Sequence, residues 1–276
     1  MAIELVTKYL PYVDEIFTTE SKKSLLTNQD FNWTGAHTVR VYKITTSEMN
    51  DYNRNSGYWR YGDPKDLEAT TEEFTLKKDR SFTFVIDKLD NDETQLQLAG
   101  ASALARQQRQ VVIPEVDSYT YGVMVAGAGT KAEAKELTAD NIYDEITAAT
   151  EVLDDAEVPE DGRCIVVTPA IYRLMKKNTD IEMETDISKE ERKKGVIAMI
   201  DGLTVVKVPA NRVPIGFGFM VAHPCATVAP TKLEDYKIHQ NPPGISGELV
   251  EGRICYDAFV IENKAKAIYY QAIPVT

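Results

Sequence analysis

The architecture of this chain follows from residues 81–113, which read SFTFVIDKLDNDETQLQLAGASALARQQRQVVI. Phe82, Phe84 and Ile86 fall on one face of an extended chain, which predicts a strand. From Asp92 onward the residues are good helix formers, with acids at the front and arginines near the end, as the helix dipole favours. The stretch therefore predicts a strand that runs into a long helix.

Pro114 follows this helix directly and predicts a kink or an interruption, because proline removes a backbone donor and crowds the preceding turn. Apolar residues then resume at helical spacing, at Val116, Tyr119, Val123 and Met124. We therefore expect either one long helix or two stacked pieces as the backbone element of the fold.

Upstream of this helix the chain makes a long excursion. A strand is predicted at 39–44, and no period of 2 or 3.6 appears between Thr45 and Lys78. Connections this long without structure of their own are uncommon, and usually functional or disordered. The two strands at 39–44 and 81–86 suggest a two-stranded stalk. The first thirty or so residues have little periodicity and are expected to form a loosely tied arm.

The excursion and the segment before it are rich in aromatic residues. Tyrosine, tryptophan and arginine are enriched at protein interfaces and their hot spots. Any one of these rings can instead pack onto its own domain, but together they favour an intermolecular contact. The candidate inter-subunit contacts are Trp33, Tyr52, Tyr58, Trp59 and Tyr61.

The second half alternates helices and strands. An amphipathic helix is predicted at 141–155, a buried strand at 163–167, and a helix that Thr168 caps with Pro169 in its first turn. A capping-box pattern predicts a short helix at 188–195. Further strands are predicted at 203–208, 217–222, 232–240, 253–261 and 267–272. This mixture predicts an α+β fold with a mixed sheet.

Composition narrows the class of protein. The chain has 276 residues, 43% of them hydrophobic, and a net charge of −12 at pH 7. Nucleic acid and anionic membranes should repel so acidic a protein. No apolar run reaches the roughly 18 residues that span a bilayer, and no signal peptide is visible. Three widely spaced cysteines fit the reduced thiols of a cytosol. We expect a soluble, intracellular protein.

Two segments resemble chemical motifs without completing them. Residues 126–131, AGAGTK, have glycines too close together for a phosphate-binding loop, and a flexible hinge is favoured. His223 and Cys225 are neighbours, but a zinc site needs three or four ligands. A strand end with a small buried thiol is favoured, and a nucleophilic Cys–His pair has no local signature here.

The acidic clusters are explained without a site. Residues 154–161 are typical of a solvated face, and the acids at 87–93 lack the glycine and distal glutamate of a calcium-binding loop. We therefore predict no catalytic, cofactor-binding or metal-binding residue.

Several stretches resemble the major capsid proteins of tailed bacteriophages with the Hong Kong 97-type fold. The strand-to-helix junction at 81–94 is similar to the family's spine-helix junction, and 111–119 (VVIPEVDSY) to its helix with an embedded Pro-Glu-hydrophobic-Asp. Further similar stretches are 164–172 (CIVVTPAIY), 222–232 (AHPCATVAPTK), 235–244 (DYKIHQNPPG), 253–261 (RICYDAFVI) and 267–271 (AIYYQ). Together they span nearly the whole chain.

The resemblance implies a division of the chain. The implied parts are an N-terminal arm at 1–32, an extended loop with flanking strands at 33–88, a peripheral domain at 89–131 and 227–256 with a spine helix near 92–126, and an axial domain at 132–226 and 257–276.

The resemblance also implies a function. The chain would be a structural coat protein without enzymatic activity or cofactor, which self-assembles into the icosahedral shell of a tailed bacteriophage around double-stranded DNA. The implied partners are many copies of itself in pentamers and hexamers, with a separate scaffolding protein, a portal and decoration proteins as further ones. It would enclose DNA without specific binding, contact no membrane, reside in the virion capsid and assemble in the bacterial host cytoplasm.

Two other functions stay open. An encapsulin-like bacterial compartment shell would keep the fold and enclose a cargo enzyme. An acidic cytosolic hydrolase with an unrecognised site is the second. The long excursion and the local similarities favour the viral function.

Overall fold

The computed structural model describes residues 20–28, 38–44, 46–55, 57–67, 69–93, 100–178, 181 and 196–274. Contacts divide the chain into a small unit, Trp33–Lys77, and a large unit formed by Met1–Asn32 with Lys78–Thr276.

The region of the predicted long helix contains three described α-helical segments. These are α1 (Lys88–Glu93), α2 (Gly100–Gln107) and α3 (Ile113–Ala126), and residues 94–99 lie outside the described ones. Between α2 and α3, Gln108–Val112 form a π-helical turn, in which the Ile113 N–H bonds the carbonyl of Gln108 five residues earlier. Because Pro114 has no N–H, the helix is disturbed here as predicted. The disturbance is a widened turn and not a break.

A mixed sheet lies at the centre of the large unit. Its strands are β4 (Thr130–Ala132), β5 (Cys164–Val167), β6 (Val196–Ile200), β7 (Leu203–Lys207), β8 (Phe217–Ala222) and β13 (Ile268–Ala272). They lie in the order β4-β13-β8-β5-β7-β6, with β5 parallel to β7 and antiparallel to β8. Strands β5 and β8 are buried along their whole length, which explains their continuous apolar sequence. The mixed sheet confirms the α+β prediction.

Two helices cover one face of this sheet. Helix α4 (Ile142–Asp155) buries Ile142, Ile146, Ala149 and Leu153, the predicted stripe. Helix α5 (Pro169–Met175) begins as predicted, because the Thr168 hydroxyl accepts a hydrogen bond from the Ile171 N–H.

The other face is covered by α3 and by the end of the N-terminal segment. Tyr121 and Met124 of α3 pack there with Leu26, which is fully buried. The Asn28 N–H also bonds the carbonyl of Thr227 at 2.7 Å. The expectation that this segment is loosely tied is therefore wrong for residues 20–28, because Leu26 joins the core. Residues 1–19 lie outside the described ones.

A second sheet holds the strand that precedes the long helix. It consists of β3 (Lys78–Asp87), β10 (Thr231–Gln240) and β11 (Gly247–Tyr256), with β11 in the middle and antiparallel to both. Strand β3 runs directly into α1, which confirms the predicted junction. Gly252 lies opposite Phe82, and a Cβ there would be 2.3 Å from the phenyl ring, so any larger residue would have to displace that ring.

The prediction of one continuous strand at 253–261 was wrong, because the strand is interrupted at Asp257 and Ala258. Strand β11 ends at Tyr256, and the Asp257 carboxylate then accepts a hydrogen bond from the Ala258 N–H at 2.8 Å. The chain resumes as β12 (Phe259–Val260), which pairs with β9 (Thr227–Val228). The helix predicted at 188–195 lies outside the described residues.

The small unit contains an antiparallel pair, β1 (Thr38–Ile44) and β2 (Ala69–Thr75), in register from Thr38 opposite Thr75 to Ile44 opposite Ala69. The predicted stalk was therefore wrong in its second strand, since β1 pairs with β2 and β3 belongs to the sheet of the large unit. Strand β2 reads ATTEEFT, and its polar residues hid it from a search for apolar alternation.

Candidate functional site

The exposed aromatic residues of the small unit lie between β1 and β2. Tyr58 is 84% exposed, Tyr61 83%, Trp59 63% and Tyr52 49%. Trp33, the remaining candidate contact, lies outside the described residues. Large apolar side chains exposed together are typical of interaction surfaces.

The tip of this excursion has a defined conformation. The Asn53 N–H bonds the carbonyl of Arg60 at 2.9 Å, and the rings of Tyr52 and Tyr61 meet edge to face with centroids 4.9 Å apart. Trp59 has a φ of +54°, a left-handed conformation that is uncommon for a bulky residue. The tip therefore presents its aromatic rings in an ordered arrangement.

Cross-strand pairs fix the register of the two strands below the tip. The Arg40 guanidinium lies 2.5 Å from the Glu73 carboxylate, and the hydroxyls of Thr38 and Thr75 are 3.0 Å apart. Directly opposed pairs of this kind are the unit of stabilisation in antiparallel strands.

Other apolar side chains of the small unit are also exposed. They are Tyr42, Ile44, Met49 and Leu67. The small unit therefore offers apolar surface along its strands as well as at its tip.

In the large unit a buried cluster anchors the end of the N-terminal segment. The Ser21 hydroxyl donates to Oδ1 of Asp117 at 2.6 Å, and Arg212 donates to Oδ2 at 2.8 Å and to the Glu20 carbonyl at 3.4 Å. Burial raises the pKa of the Asp117 carboxyl, while Ser21 and Arg212 oppose that rise. The cluster therefore joins the N-terminal segment, α3 and the turn after β7.

No pattern in the sequence marked this cluster as a site. Asp117 and Arg212 are far apart along the chain, and only the similarity of residues 111–119 to a capsid helix marked the aspartate. Long-range ion pairs of this kind have no local pattern.

A second polar network joins β3 and β11 to α3. Arg80 Nε lies 2.8 Å from Oε1 of Glu115, and the same oxygen accepts a hydrogen bond from the Tyr256 hydroxyl at 3.2 Å. Burial and the Glu115 carboxylate raise the pKa of Tyr256 to about 12. The Tyr119 hydroxyl donates to Asp257 at 2.7 Å. Strand β3, which follows the small unit in the sequence, is thus fixed to α3.

The outer face of the three-stranded sheet carries exposed ion pairs. Arg253 contacts Asp79 through two hydrogen bonds of 2.9 and 2.5 Å, and Lys237 lies 2.7 Å from Asp235. Such pairs contribute little to stability because solvent screens them.

The motifs that resembled chemical sites have structural roles. Both ring nitrogens of His223 face backbone groups, the Cys225 N–H at 3.2 Å and the Asp161 carbonyl at 3.0 Å. In the 126–131 segment the Gly129 N–H bonds the Ala265 carbonyl at 2.9 Å, and a Cβ at this position would meet the same carbonyl group, so this glycine serves close packing.

Across the described ranges, no group of three His, Cys, Asp or Glu side chains is placed to hold a metal ion. No helix of these ranges has the length and apolar character needed to cross a membrane.

The fold matches solved phage structures, although no protein-family model matches the chain and no curated protein matches its sequence. A structure from Mycobacterium phage Che8 is 18% identical with a TM-score of 0.67, over 98% of this chain and 96% of that one. The capsid structure of cyanophage P-SCSP1u is 12% identical with a TM-score of 0.72, over 99% and 94%.

The mature capsid of bacteriophage PhiM1 is 11% identical with a TM-score of 0.69, over 100% of this chain and 93% of that one. These matches extend over both sheets, the long helix and the small unit. The chain therefore has the fold of these phage capsid structures, and the predicted Hong Kong 97-type α+β capsid fold is confirmed.

Proposed function

We propose that the chain is the major capsid protein of a tailed bacteriophage, a structural protein that self-assembles into an icosahedral shell around double-stranded DNA. The observation that carries this proposal is the end-to-end match to phage capsid structures, with a TM-score of 0.72 over 99% of the chain for the cyanophage capsid.

The division into parts follows from the same proposal. Residues 1–32 form the N-terminal arm and 33–88 the extended loop with its flanking strands. The peripheral domain comprises 89–131 and 227–256, and the axial domain 132–226 and 257–276. The separation of Trp33–Lys77 from the rest by contacts supports a loop of its own.

The aromatic residues of the loop contact neighbouring copies in this proposal. Tyr52, Tyr58, Trp59 and Tyr61 are exposed, and the tip is ordered by its own hydrogen bonds. A shell must join each copy to several neighbours, and aromatic side chains give a large contact area at low entropic cost. Trp33, the first residue of the loop segment in the sequence, is a further contact in this proposal.

In this proposal the shell consists of pentamers and hexamers of this chain. A separate scaffolding protein, a portal and decoration proteins are its candidate further partners. The protein assembles in the bacterial host cytoplasm and resides in the virion capsid. Its net charge of −12 supports enclosure of DNA without specific binding.

The two alternatives have less support. An encapsulin-like compartment shares the fold, but the solved structures described above come from phages. For a hydrolase, both ring nitrogens of His223 face backbone groups, and within the described residues no group of three His, Cys, Asp or Glu is placed to hold a metal ion.

The test is assembly of the purified full chain, alone and coexpressed with proteins encoded beside it. We expect particles of uniform diameter in negative-stain micrographs and elution in the megadalton range. A small oligomer under both conditions, together with hydrolytic activity, would contradict the proposal. Copurification of a cargo enzyme would favour the compartment.

A further inference from the structure

Charge is segregated along the segment that contains α4, β5 and α5. Residues 136–162 contain no lysine or arginine, and residues 163–179 contain no aspartate or glutamate. Surface charges of opposite sign are usually interspersed, since nearby pairs stabilise one another. This separation therefore calls for a physical reason.

The acidic part ends in an ordered turn after α4. The acidic turn is defined by four exposed side chains, Asp155, Glu157, Glu160 and Asp161. None of them forms an ion pair with another described residue.

The buried Arg163 holds this turn in place. Its guanidinium donates to Asp154 at 2.6 Å and to the carbonyls of Val158 at 2.5 Å and Pro159 at 2.9 Å. It neutralises Asp154 alone, so four carboxylates remain close together in a fixed conformation.

The basic part surrounds Tyr172. The basic patch is defined as Lys22, Arg173, Lys176, Lys177 and Lys207. The ammonium groups of Lys176 and Lys207 lie 5.1 and 5.5 Å from the centroid of the tyrosine ring.

Lys22 donates to the carbonyl of Lys207 at 2.8 Å, which adds a third ammonium group to the patch. Burial and the charges of Lys207 and Arg212 lower the pKa of Lys22, as expected where positive charges crowd together. No side chain of the basic patch has a carboxylate partner within the described ranges.

The two charged regions lie at opposite ends of β5. The acidic turn leads into its first residue, Cys164, through Arg163. Lys207 is the last residue of the parallel strand β7, opposite Val167 at the other end of β5. Within one copy the two regions are therefore held apart by the sheet.

We infer that the acidic turn of one copy binds the basic patch of the next copy, head to tail, around a ring. Head-to-tail contacts need two different, complementary surfaces on each subunit, and the ends of β5 carry such surfaces. Pairing relieves the repulsion within each region. The inference rests on the proposed function, because it names the partner surface within the shell. A nucleic acid would explain the basic patch alone and leave the acidic turn without a partner.

The experiment is a charge swap in the full chain. Lys176→Glu with Lys207→Glu reverses the patch, Glu157→Lys with Glu160→Lys reverses the turn, and the quadruple variant restores opposite signs. Lys264→Glu with Lys266→Glu is the matched control, because both lysines are exposed and lie outside the two regions. Oligomer size is measured by light scattering from low to high salt. Zero-length carbodiimide cross-linking of mixed isotope-labelled and unlabelled chains identifies contacts between copies.

We expect each double reversal to lower the yield of oligomers roughly tenfold or more at low salt, and the quadruple variant to recover most of it. Cross-links should join the acidic turn of one copy to lysines of the patch in another. Shells that form equally in all variants would overturn this inference and leave the capsid function standing. If only small oligomers form, but their yield falls in the double variants and recovers in the quadruple variant, the inference stands and the shell function is contradicted. Loss of DNA retention without loss of assembly would assign the patch to nucleic acid instead.

Discussion

Arg212 donates a hydrogen bond from Nη1 to Oδ2 of Asp117 at 2.8 Å, and both side chains are almost completely buried. The pair joins the long helix to the turn after β7, and Ser21 brings the N-terminal segment to the same carboxylate. A buried charge that loses its partner is far more costly than the loss of an exposed pair, because it cannot be solvated.

The first prediction is that Arg212→Met lowers the free energy of unfolding by about 3–5 kcal/mol. Denaturant unfolding of the assembly-incompetent or dissociated chain measures it. The double variant Arg212→Met/Asp117→Leu should recover a large part of the loss, since no unpaired charge remains. Arg253→Met, which breaks the exposed pair with Asp79, is the control with a much smaller effect. Equal losses in the two single variants would contradict this account.

The second prediction concerns the pH dependence of that variant. Burial raises the pKa of Asp117 in the folded state, so the folded chain holds the proton more tightly than the unfolded chain. Stability from such a group is fully present below the unfolded pKa and is lost as the pH rises through the folded pKa. Without Arg212 the pKa of Asp117 should rise further. The loss of unfolding free energy in Arg212→Met, relative to wild type, should therefore be smaller at pH 5 than at pH 8. A deficit that grows on acidification would show that the arginine acts elsewhere.

The third prediction separates assembly from stability at the loop tip. Trp59 is 63% exposed, so Trp59→Ala should reduce particle yield while the unfolding midpoint of the unassembled chain changes little. Trp59→Gly removes the same ring but suits the φ of +54°, which makes it the control for backbone strain. Both variants should assemble poorly. An unchanged yield and particle melting profile would mean that the indole contacts no neighbour.

The fourth prediction uses Cys164 as a probe of the N-terminal segment. Its thiol lies 3.5 Å from the Leu25 carbonyl, and burial raises its pKa to about 11, so alkylation should be slow at pH 8. Leu26→Ala removes a fully buried side chain above the sheet and should speed alkylation, measured by mass spectrometry in a Cys225→Ser/Cys255→Ser background. Leu153→Ala, which removes an equally buried side chain on the other face of the sheet, is the matched control. An unchanged rate in Leu26→Ala would mean that this segment does not shield the thiol.

The fifth prediction tests the close approach at Gly252. Gly252→Ala places a methyl group against the Phe82 ring and should cost about 1–3 kcal/mol of unfolding free energy. Phe82→Leu should reduce that cost in the double variant, which a double-mutant cycle would reveal. Additive effects would show that the two residues do not meet.

Local sequence patterns correctly predicted those elements whose ends are determined by residues close by in the chain. Thr168 and Pro169 defined the start of α5, and the apolar stripe from Ile142 defined α4. The strand β2 escaped prediction because its conformation comes from pairing with β1 and not from its own polar sequence.

The site was predictable only in part for the same reason. Exposed aromatic residues can be anticipated from a polar, aperiodic context, as Tyr58 and Trp59 show. The acidic and basic runs are visible in the sequence, but their placement at opposite ends of β5 depends on chain topology, as does the pair of Asp117 with Arg212. In both cases residues that are far apart in the sequence are brought together, and hydrophobic periodicity along the chain cannot predict such contacts.

The π-helical turn at Gln108–Val112 determines where related sequences should be aligned with a gap. Its hydrogen bond spans one residue more than an α-turn, so a single inserted residue is absorbed there while α2 and α3 keep their buried faces. Homologues with an uninterrupted helix at this place should accordingly be one position shorter, and an alignment gap belongs beside Pro114 and not in the loops.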